Sequence, residues 1–151
     1  MNCNMKIQDY FHPKEVVCPD VYDKFGLYSW QFFDPRLLDV MLVIREKTGL
    51  PMVVNNWGKG GQLTQRGLRC HLCPMMKEKT RLEKLYMSAH SFGMAWDFNI
   101  VGQTVEETHK WIVDNQILLP HPIRLEEPDG INRVHLDVRT DGFRQITWFK
   151  A

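Results

Sequence analysis

Two histidines and one aspartate in this chain have side chains that could share a metal ion. His90 and Asp97 lie in one segment, residues 88–98, and His135 lies later, in residues 133–138. Imidazole nitrogens and carboxylate oxygens are common zinc ligands, and each lies about 2 Å from the ion. Metal-assisted hydrolysis is the chemistry to consider, provided that the fold brings these side chains together.

The separation of seven residues restricts how His90 and Asp97 can meet. On a straight helix they would lie roughly 10 Å apart along the axis, and on a continuous strand more than about 20 Å apart. We therefore expect His90 on a turn and Asp97 on a following buried strand, residues 94–100. Gly93 gives the turn its conformational freedom, and the small side chain of Ala95 lets another element approach closely.

A third ligand is expected from the alternating segment 133–138. Its period of two places His135 and Asp137 on one face and three apolar side chains on the other. A histidine that faces away from the apolar side, next to an acid, fits a metal ligand whose ring is oriented by a carboxylate.

The segment Ser88-x-His90-x-x-Gly93-x-Ala95-x-Asp97 resembles the S-x-H-x-x-G-x-A-x-D motif of the M15 family of zinc peptidases. Residues 134–138 are also similar to the strand that carries this family's third ligand. The family includes D-alanyl-D-alanine carboxypeptidases, dipeptidases and phage endolysin endopeptidases, and the hedgehog signalling domain shares its fold. The resemblance covers roughly residues 50–140.

The resemblance implies one Zn²⁺ per chain, held by His90, Asp97 and His135, with a fourth position open for water. It implies a peptidase that hydrolyses D-amino-acid-containing bonds of peptidoglycan stem peptides, as a D,D-carboxypeptidase or an endopeptidase. Zinc in such a site lowers the pKa of its water towards ~7 and polarises the scissile carbonyl.

The general base, which must take the proton of that water, is left open by the sequence. Many family members place a glutamate three residues before the third ligand, where this chain has Asn132. Hedgehog-like relatives carry theirs further upstream, which corresponds here to residues 124–129. If Pro128 and Asp129 formed a tight turn, Glu126 would pair with Ile131 and lie about 13 Å from His135 along the strand.

A wider loop could instead fold a later acid over the metal. The candidates are therefore Glu127, Glu126 and Asp129, with Asp137 or no base as the remaining alternative. Because Asn132 cannot act as a base, the second hypothesis is a catalytically silent zinc-containing binding module of the same fold.

Substrate contacts are expected from the loop before the motif. Negative charge on the carbonyl oxygen and on a substrate carboxylate both favour an arginine near the metal, and Arg66 and Arg69 are the candidates, with solvated surface charges as the alternative. Ser88 is expected to form hydrogen bonds in the turn, because no histidine is placed to activate it as a nucleophile.

Cys70 and Cys73 form a CxxC, which is typical of half a zinc site or of a redox pair. A closed zinc site needs four ligands, and Cys18 and His71 could complete one only if the fold brings them together. A redox motif should begin a helix after a strand, whereas this one is expected in a loop. The favoured interpretation is that these cysteines are reduced and have no metal or redox role.

The composition is that of an ordinary globular domain. The chain has 151 residues, 44% of them hydrophobic and 25% charged, and its net charge of +1 gives no indication of nucleic-acid binding. It has no apolar run long enough for a membrane span and no secretory signal. We expect a monomer made in the cytoplasm that acts on the cell wall, with a phage or prophage origin as one explanation.

Periodicity, caps and turn residues predict the elements that position these side chains. Helices are predicted over 34–49, 77–86 and 104–115, and strands over 51–55, 94–100, 122–127, 132–138 and 143–149. The expected fold is α+β and similar to the hedgehog/D,D-peptidase fold, with a central, mainly antiparallel sheet packed against helices. Residues 1–151 should form a single metallopeptidase domain, with residues 1–30 wrapped around it.

Overall fold

The computed structural model describes residues 5–151, so Cys3 lies outside the described part of the chain. The α-helices and β-strands of that part are α1 (Pro19–Phe25), α2 (Pro35–Thr48), β1 (Met52–Val53), α3 (Pro74–Arg81), β2 (Ala95–Ile100), α4 (Val105–Asp114), β3 (Ile123–Glu126), β4 (Val134–Asp137) and β5 (Ile146–Phe149). Short 3-10 helices connect several of them. The predicted α+β class is confirmed.

One five-stranded sheet has the order β1-β2-β4-β3-β5. Its first three pairings are antiparallel, and β3 with β5 is parallel. The prediction of a mainly antiparallel sheet is confirmed. The last strand pairs with β3 at the edge and not with β4, the strand that precedes it in the chain.

The two faces of this sheet have different roles. Trp96 on β2 and Leu125 on β3 both lie opposite Leu136 on β4, and all three are fully buried. The neighbouring positions point to the other face, because side chains alternate along a strand. Asp97 and His135 are direct partners there. One face thus forms the core, and the other carries polar side chains.

Helices α2 and α4 agree with their predicted positions. Asp34 caps α2 by accepting the Arg36 N–H at 2.9 Å, and the buried stripe Leu37, Val40, Met41 and Ile44 joins the core. Thr104 and Glu107 form the predicted capping box of α4.

Two helices differ from the sequence prediction. Helix α3 begins at Pro74 and ends at Arg81, several residues before the predicted 77–86, because proline suits the first turn of a helix. Helix α1 was not predicted, since its seven residues bury only Val21 and so show no helical periodicity. Residues 5–33 nevertheless supply core side chains, among them Phe11 and Val17.

Within residues 5–151, we find no helix with the length and apolar character that crossing a bilayer requires.

The turn between His90 and β2 depends on Gly93. Its φ is +67°, and a Cβ at this position would lie 1.9 Å from the carbonyl oxygen of Phe32. The Gly93 carbonyl also accepts the N–H of Asp34, the cap of α2, at 3.0 Å. The turn is therefore pressed directly against the start of α2.

We predict that Gly93→Ala destabilises the protein much more than Gly49→Ala. Gly49 has nearly the same φ, +65°, but an added Cβ would meet no atom within 4 Å. Gly49→Ala should cost only the left-handed backbone penalty of about 1–2 kcal/mol. Gly93→Ala adds a backbone clash, about 1–3 kcal/mol more. Urea unfolding of both variants measures this difference, and equal losses would contradict the tight contact.

Candidate metal centre

His90 lies in a compact turn that follows α3. The Ser88 hydroxyl accepts the His90 N–H at 3.2 Å, and the Met94 N–H donates to the Ala89 carbonyl at 2.9 Å. The turn reverses the chain before β2 begins at Ala95. The turn thereby brings His90 next to Asp97, seven residues further along the chain. A bend between these two residues was the condition for a shared metal ion.

The second and third side chains meet through strand pairing. Asp97 on β2 is the direct antiparallel partner of His135 on β4, and directly opposed side chains lie on the same face about 5 Å apart at Cβ. The His135 Nδ1 is 2.8 Å from Asp97 Oδ1, and His90 Nε2 is 3.3 Å from both of these atoms. His90, Asp97 and His135 therefore converge, each at most 9% exposed.

These separations fit one bound ion. Ligands about 2.0–2.1 Å from a tetrahedral metal lie about 3.3 Å from each other. Two of the three distances are 3.3 Å, and the third, 2.8 Å, is a hydrogen-bond distance. The three donor atoms form a group that is compatible with a metal ion.

The outer nitrogens of both imidazoles have acceptors that fix the ring protons. His90 Nδ1 lies 2.9 Å from the Gly67 carbonyl oxygen, and His135 Nε2 lies 3.0 Å from Asp137 Oδ2. A carbonyl and a carboxylate can only accept, so these nitrogens carry the protons. The neutral rings then present the lone pairs of His90 Nε2 and His135 Nδ1 to Asp97 Oδ1. Three acceptors facing one another require a proton or a cation between them.

The pKa shifts show the same preference for positive charge. Burial by itself would lower the pKa of His135, but hydrogen bonds to Asp137 and Asp97 outweigh burial and raise it. Burial by itself would raise the pKa of Asp97, but hydrogen bonds with His135 and His90 hold it well below its usual range. Burial lowers the pKa of His90. The site therefore keeps a carboxylate ionised and stabilises a cation beside it.

Two arginines hold the outer oxygen of Asp97. Arg69 Nη2 lies 3.2 Å and Arg133 Nε 3.0 Å from Asp97 Oδ2. Their donors occupy Oδ2 and leave Oδ1 for the histidines. Arg69 is itself buried, so it positions Asp97 in this structure, although the sequence suggested a substrate contact.

A cavity of about 360 Å³ opens at the three donor atoms. Its polar lining includes Ser88, Glu126, Arg133 and Arg139, and Tyr86 and Phe149 add aromatic walls. The Phe149 ring packs edge-on against His135, with ring centroids 5.4 Å apart. A small ligand in this cavity would contact the metal site and these side chains together.

Glu126 is the candidate base that lies in this cavity. In the register of β3 with β4, Arg124 faces Asp137 and Leu125 faces Leu136, so the next position along β3 places Glu126 beside His135. This register excludes the alternative in which Pro128 and Asp129 form a tight turn and Glu126 pairs with Ile131. The connection spans residues 127–133, which removes the predicted separation of Glu126 from the metal site.

The other candidate bases lie elsewhere or are already engaged. Glu127 pairs with Lys150 at 3.3 Å, and together with Asp129 it lines a different groove. Asp137 is fully buried, and both of its oxygens accept hydrogen bonds from Arg124, at 2.8 and 2.7 Å. Asp137 therefore orients His135 and has no free oxygen for proton transfer.

Of the remaining predicted substrate residues, one lines the cavity and the other does not. Ser88 lines it while holding the His90 turn. Arg66 lies in a neighbouring groove, where its Nη1 donates to Asn99 Oδ1 at 2.6 Å. The Arg66 carbonyl accepts the Asp97 N–H at 2.7 Å, so this residue supports β2 through its backbone.

Among the cavity residues that sequence reasoning missed are Arg124, Arg133 and Phe149. The alternation in residues 133–138 already placed Arg133 on the face of His135 and Asp137, so this arginine could have been found from the pattern. Arg124 and Phe149 required the order and register of β3 and β5, which the local sequence does not specify.

We predict that Asp137→Asn weakens divalent-metal binding about 10–100-fold, because the carboxylate that accepts the His135 proton is lost. Asp39→Asn is the matched control, since Asp39 Oδ2 also binds a histidine, His121, at 2.9 Å, but on the surface. Titration with Co²⁺, followed by its visible absorption, measures both affinities. An equal effect of the two substitutions would contradict the role of Asp137.

Comparisons of the chain with protein-family models, curated proteins and solved structures found no match. What the site can do is therefore judged from its geometry and from the motif in the sequence.

Proposed function

We propose that this chain is a zinc-dependent peptidase that hydrolyses D-amino-acid-containing bonds of peptidoglycan stem peptides. The observation that carries the proposal is the convergence of His90 Nε2, Asp97 Oδ1 and His135 Nδ1 within 4.8 Å of one another. The similarity of residues 88–97 to the M15 motif supports both the metal and the substrate class.

The donor set favours zinc over the hard cations of biology. Calcium and magnesium prefer sites made of oxygen ligands, whereas two imidazoles with one carboxylate are typical of catalytic zinc in hydrolases. The two histidines also have partners on their outer nitrogens, Gly67 and Asp137, as zinc-binding histidines usually do.

The residues around the metal supply the other requirements of peptide hydrolysis. Zinc bound here would make water acidic enough to ionise near neutral pH and would polarise the substrate carbonyl. Glu126 lies on the same face as His135, and its closest cationic partner among the described residues, Arg133, is 3.9 Å away. Its carboxylate accepts the proton of the attacking water and returns it to the leaving amine.

Arg133 is placed to stabilise negative charge on the substrate. Its side chain is 32% exposed and bridges Asp97 and Glu126, so it reaches the metal side of the cavity while remaining open to a ligand. A guanidinium at this point can donate to the carbonyl oxygen as its charge develops.

The charges of the cavity fit a substrate that carries carboxylates. Its ionisable side chains include the cations Arg69, Lys79, Arg124, Arg133 and Arg139 and the acids Asp97, Glu126 and Asp137. A metal ion would add further positive charge. Stem peptides have a free terminal carboxylate, so such a cavity attracts them electrostatically.

We expect turnover to depend on the metal. Chelation should abolish release of D-Ala or cleavage of muropeptides, and zinc should restore it. His135→Ala removes a ligand of the metal. It should therefore weaken zinc binding by more than the roughly 10–100-fold that is typical when a group hydrogen-bonded to a ligand is lost. His121→Ala, which removes a surface histidine bound to Asp39, should leave zinc binding and turnover unchanged. Full activity in zinc-free protein would contradict the proposal.

We predict that Glu126→Gln lowers kcat about 10²–10⁴-fold because it removes the general base, while zinc content and folding are retained. Glu127→Gln is the matched control, since this neighbour lines another groove. Steady-state kinetics with a peptide ending in D-Ala-D-Ala, and with its L-Ala-L-Ala isomer, measure both the role of the base and the stereochemical preference.

If Glu126→Gln and Glu127→Gln were equally active, Glu126 would not be the base. If the zinc-loaded protein turned over no peptide of either configuration, the catalytically silent binding module would replace the peptidase as the function of this site.

A further inference from the structure

Three cysteine sulfurs form a second cluster, away from the cavity described above. The Sγ atoms of Cys18, Cys70 and Cys73 lie within 4.8 Å of one another, and Cys70 and Cys73 are 4.0 Å apart. Cys18 is fully buried and Cys73 is 2% exposed. The cluster joins two segments that are about fifty residues apart in the chain.

Backbone pairing brings the two segments together. Val17 and Leu68 form a parallel bridge, in which the Leu68 N–H donates to Val16 at 2.8 Å and the Cys18 N–H donates to Leu68 at 3.1 Å. Cys18 and Cys73 each stand immediately before a helix that begins with proline, α1 and α3. The CxxC therefore ends at a helix start. The fold brings Cys18 to its two cysteines, whereas His71, the other residue that the sequence named for a zinc site, lies outside the cluster.

We propose that Cys18, Cys70 and Cys73 bind a second metal ion, a structural zinc that is separate from the peptidase centre. Thiolates about 2.3 Å from a tetrahedral zinc lie about 3.8 Å apart, close to the 4.0 Å between Cys70 and Cys73. The candidate for the fourth ligand is the exposed Asp20, whose Oδ2 lies 3.9 Å from Cys70 Sγ but outside the group of three sulfurs, so it would have to move towards the ion.

The surroundings of the cluster support a bound thiolate. A hydrogen bond from Cys73 and backbone N–H groups of Val21 and Cys70 lower the pKa of Cys18 to about 6. The hydrogen bond that Cys73 forms with Cys18, together with burial, raises the pKa of Cys73. The geometry points the same way, because a cation among the three converging sulfurs would contact all of them.

A disulfide explains the cluster less well. It would use two of the sulfurs and leave the third buried beside them, whereas a metal uses all three. Their convergence from two separate segments is the arrangement expected of a structural zinc site, which stabilises a fold by binding segments to one ion.

The proposal predicts two zinc sites that can be removed separately. We expect each full chain, purified under reducing conditions, to contain about two zinc ions, one in each of the two proposed tetrahedral sites. His90→Ala should remove one and Cys70→Ser the other. His71→Ala is the matched control, because this exposed residue lies within the CxxC but outside the cluster, and it should retain both ions. Elemental analysis of the variants gives these numbers.

Two further measurements on folded protein keep the test decisive if Cys70→Ser does not fold. X-ray absorption of the His90→Ala protein should show zinc–sulfur distances of about 2.3 Å, and a mercurial reagent should release this zinc from the wild-type chain as the thiols react. A disulfide between two of these cysteines, or thiols that react without releasing zinc, would overturn the inference. A wild-type chain that contains only one zinc, bound by sulfur and fully retained in His90→Ala, would uphold the inference while contradicting the peptidase centre.

Discussion

The pairing of β2 with β4 in a single register is the constraint on which the candidate centre depends. Because Asp97 faces His135, two of the three donors are fixed by a strand ladder and not by a flexible loop. If either strand shifted by one residue, its side chains would turn to the opposite face, so Asp97 and His135 would no longer lie on the same face. The shifted strand would also turn Trp96 or Leu136 out of the core, where both are fully buried, and such a burial is worth about 2–3 kcal/mol. The packing of the core therefore maintains the geometry of the donors.

Burying Asp97 and Asp137 beneath the cavity requires compensating charge, because an isolated buried carboxylate is strongly disfavoured. Arg124 binds both oxygens of Asp137, while Arg69 and Arg133 bind the outer oxygen of Asp97. This division leaves the inner oxygen of Asp97 facing two imidazoles. The arginines do not remove the requirement for a proton or a cation at the centre. They restrict it to the one point where the three donors meet.

The sequence predicted those parts of the molecule that local patterns determine. Helices α2 and α4 followed from caps and periodicity, and the bend from His90 to Asp97 followed from their spacing and Gly93. The position of Glu126 did not, because it depends on a seven-residue connection and on a register that local residues leave open. Arg69 lines the cavity, but its contact with Asp97, 28 residues away in sequence, was not predicted. Long-range pairings of this kind require the assembled fold.

Residues 67–69 lie between the two proposed metal sites and form hydrogen bonds with residues of both. At one edge, Leu68 exchanges hydrogen bonds with Val16 and Cys18. At the other, Gly67 accepts the His90 ring proton and the Arg69 N–H donates to the His90 carbonyl. Successive residues of an extended chain direct their backbone groups to opposite edges, so a short segment can serve both sides. A Cβ on Gly67 would lie 1.8 Å from the Val16 carbonyl oxygen, which shows how closely the segments approach. An ion bound by the cysteines would therefore restrain the segment that orients His90, and in this way support the proposed metal centre without touching it.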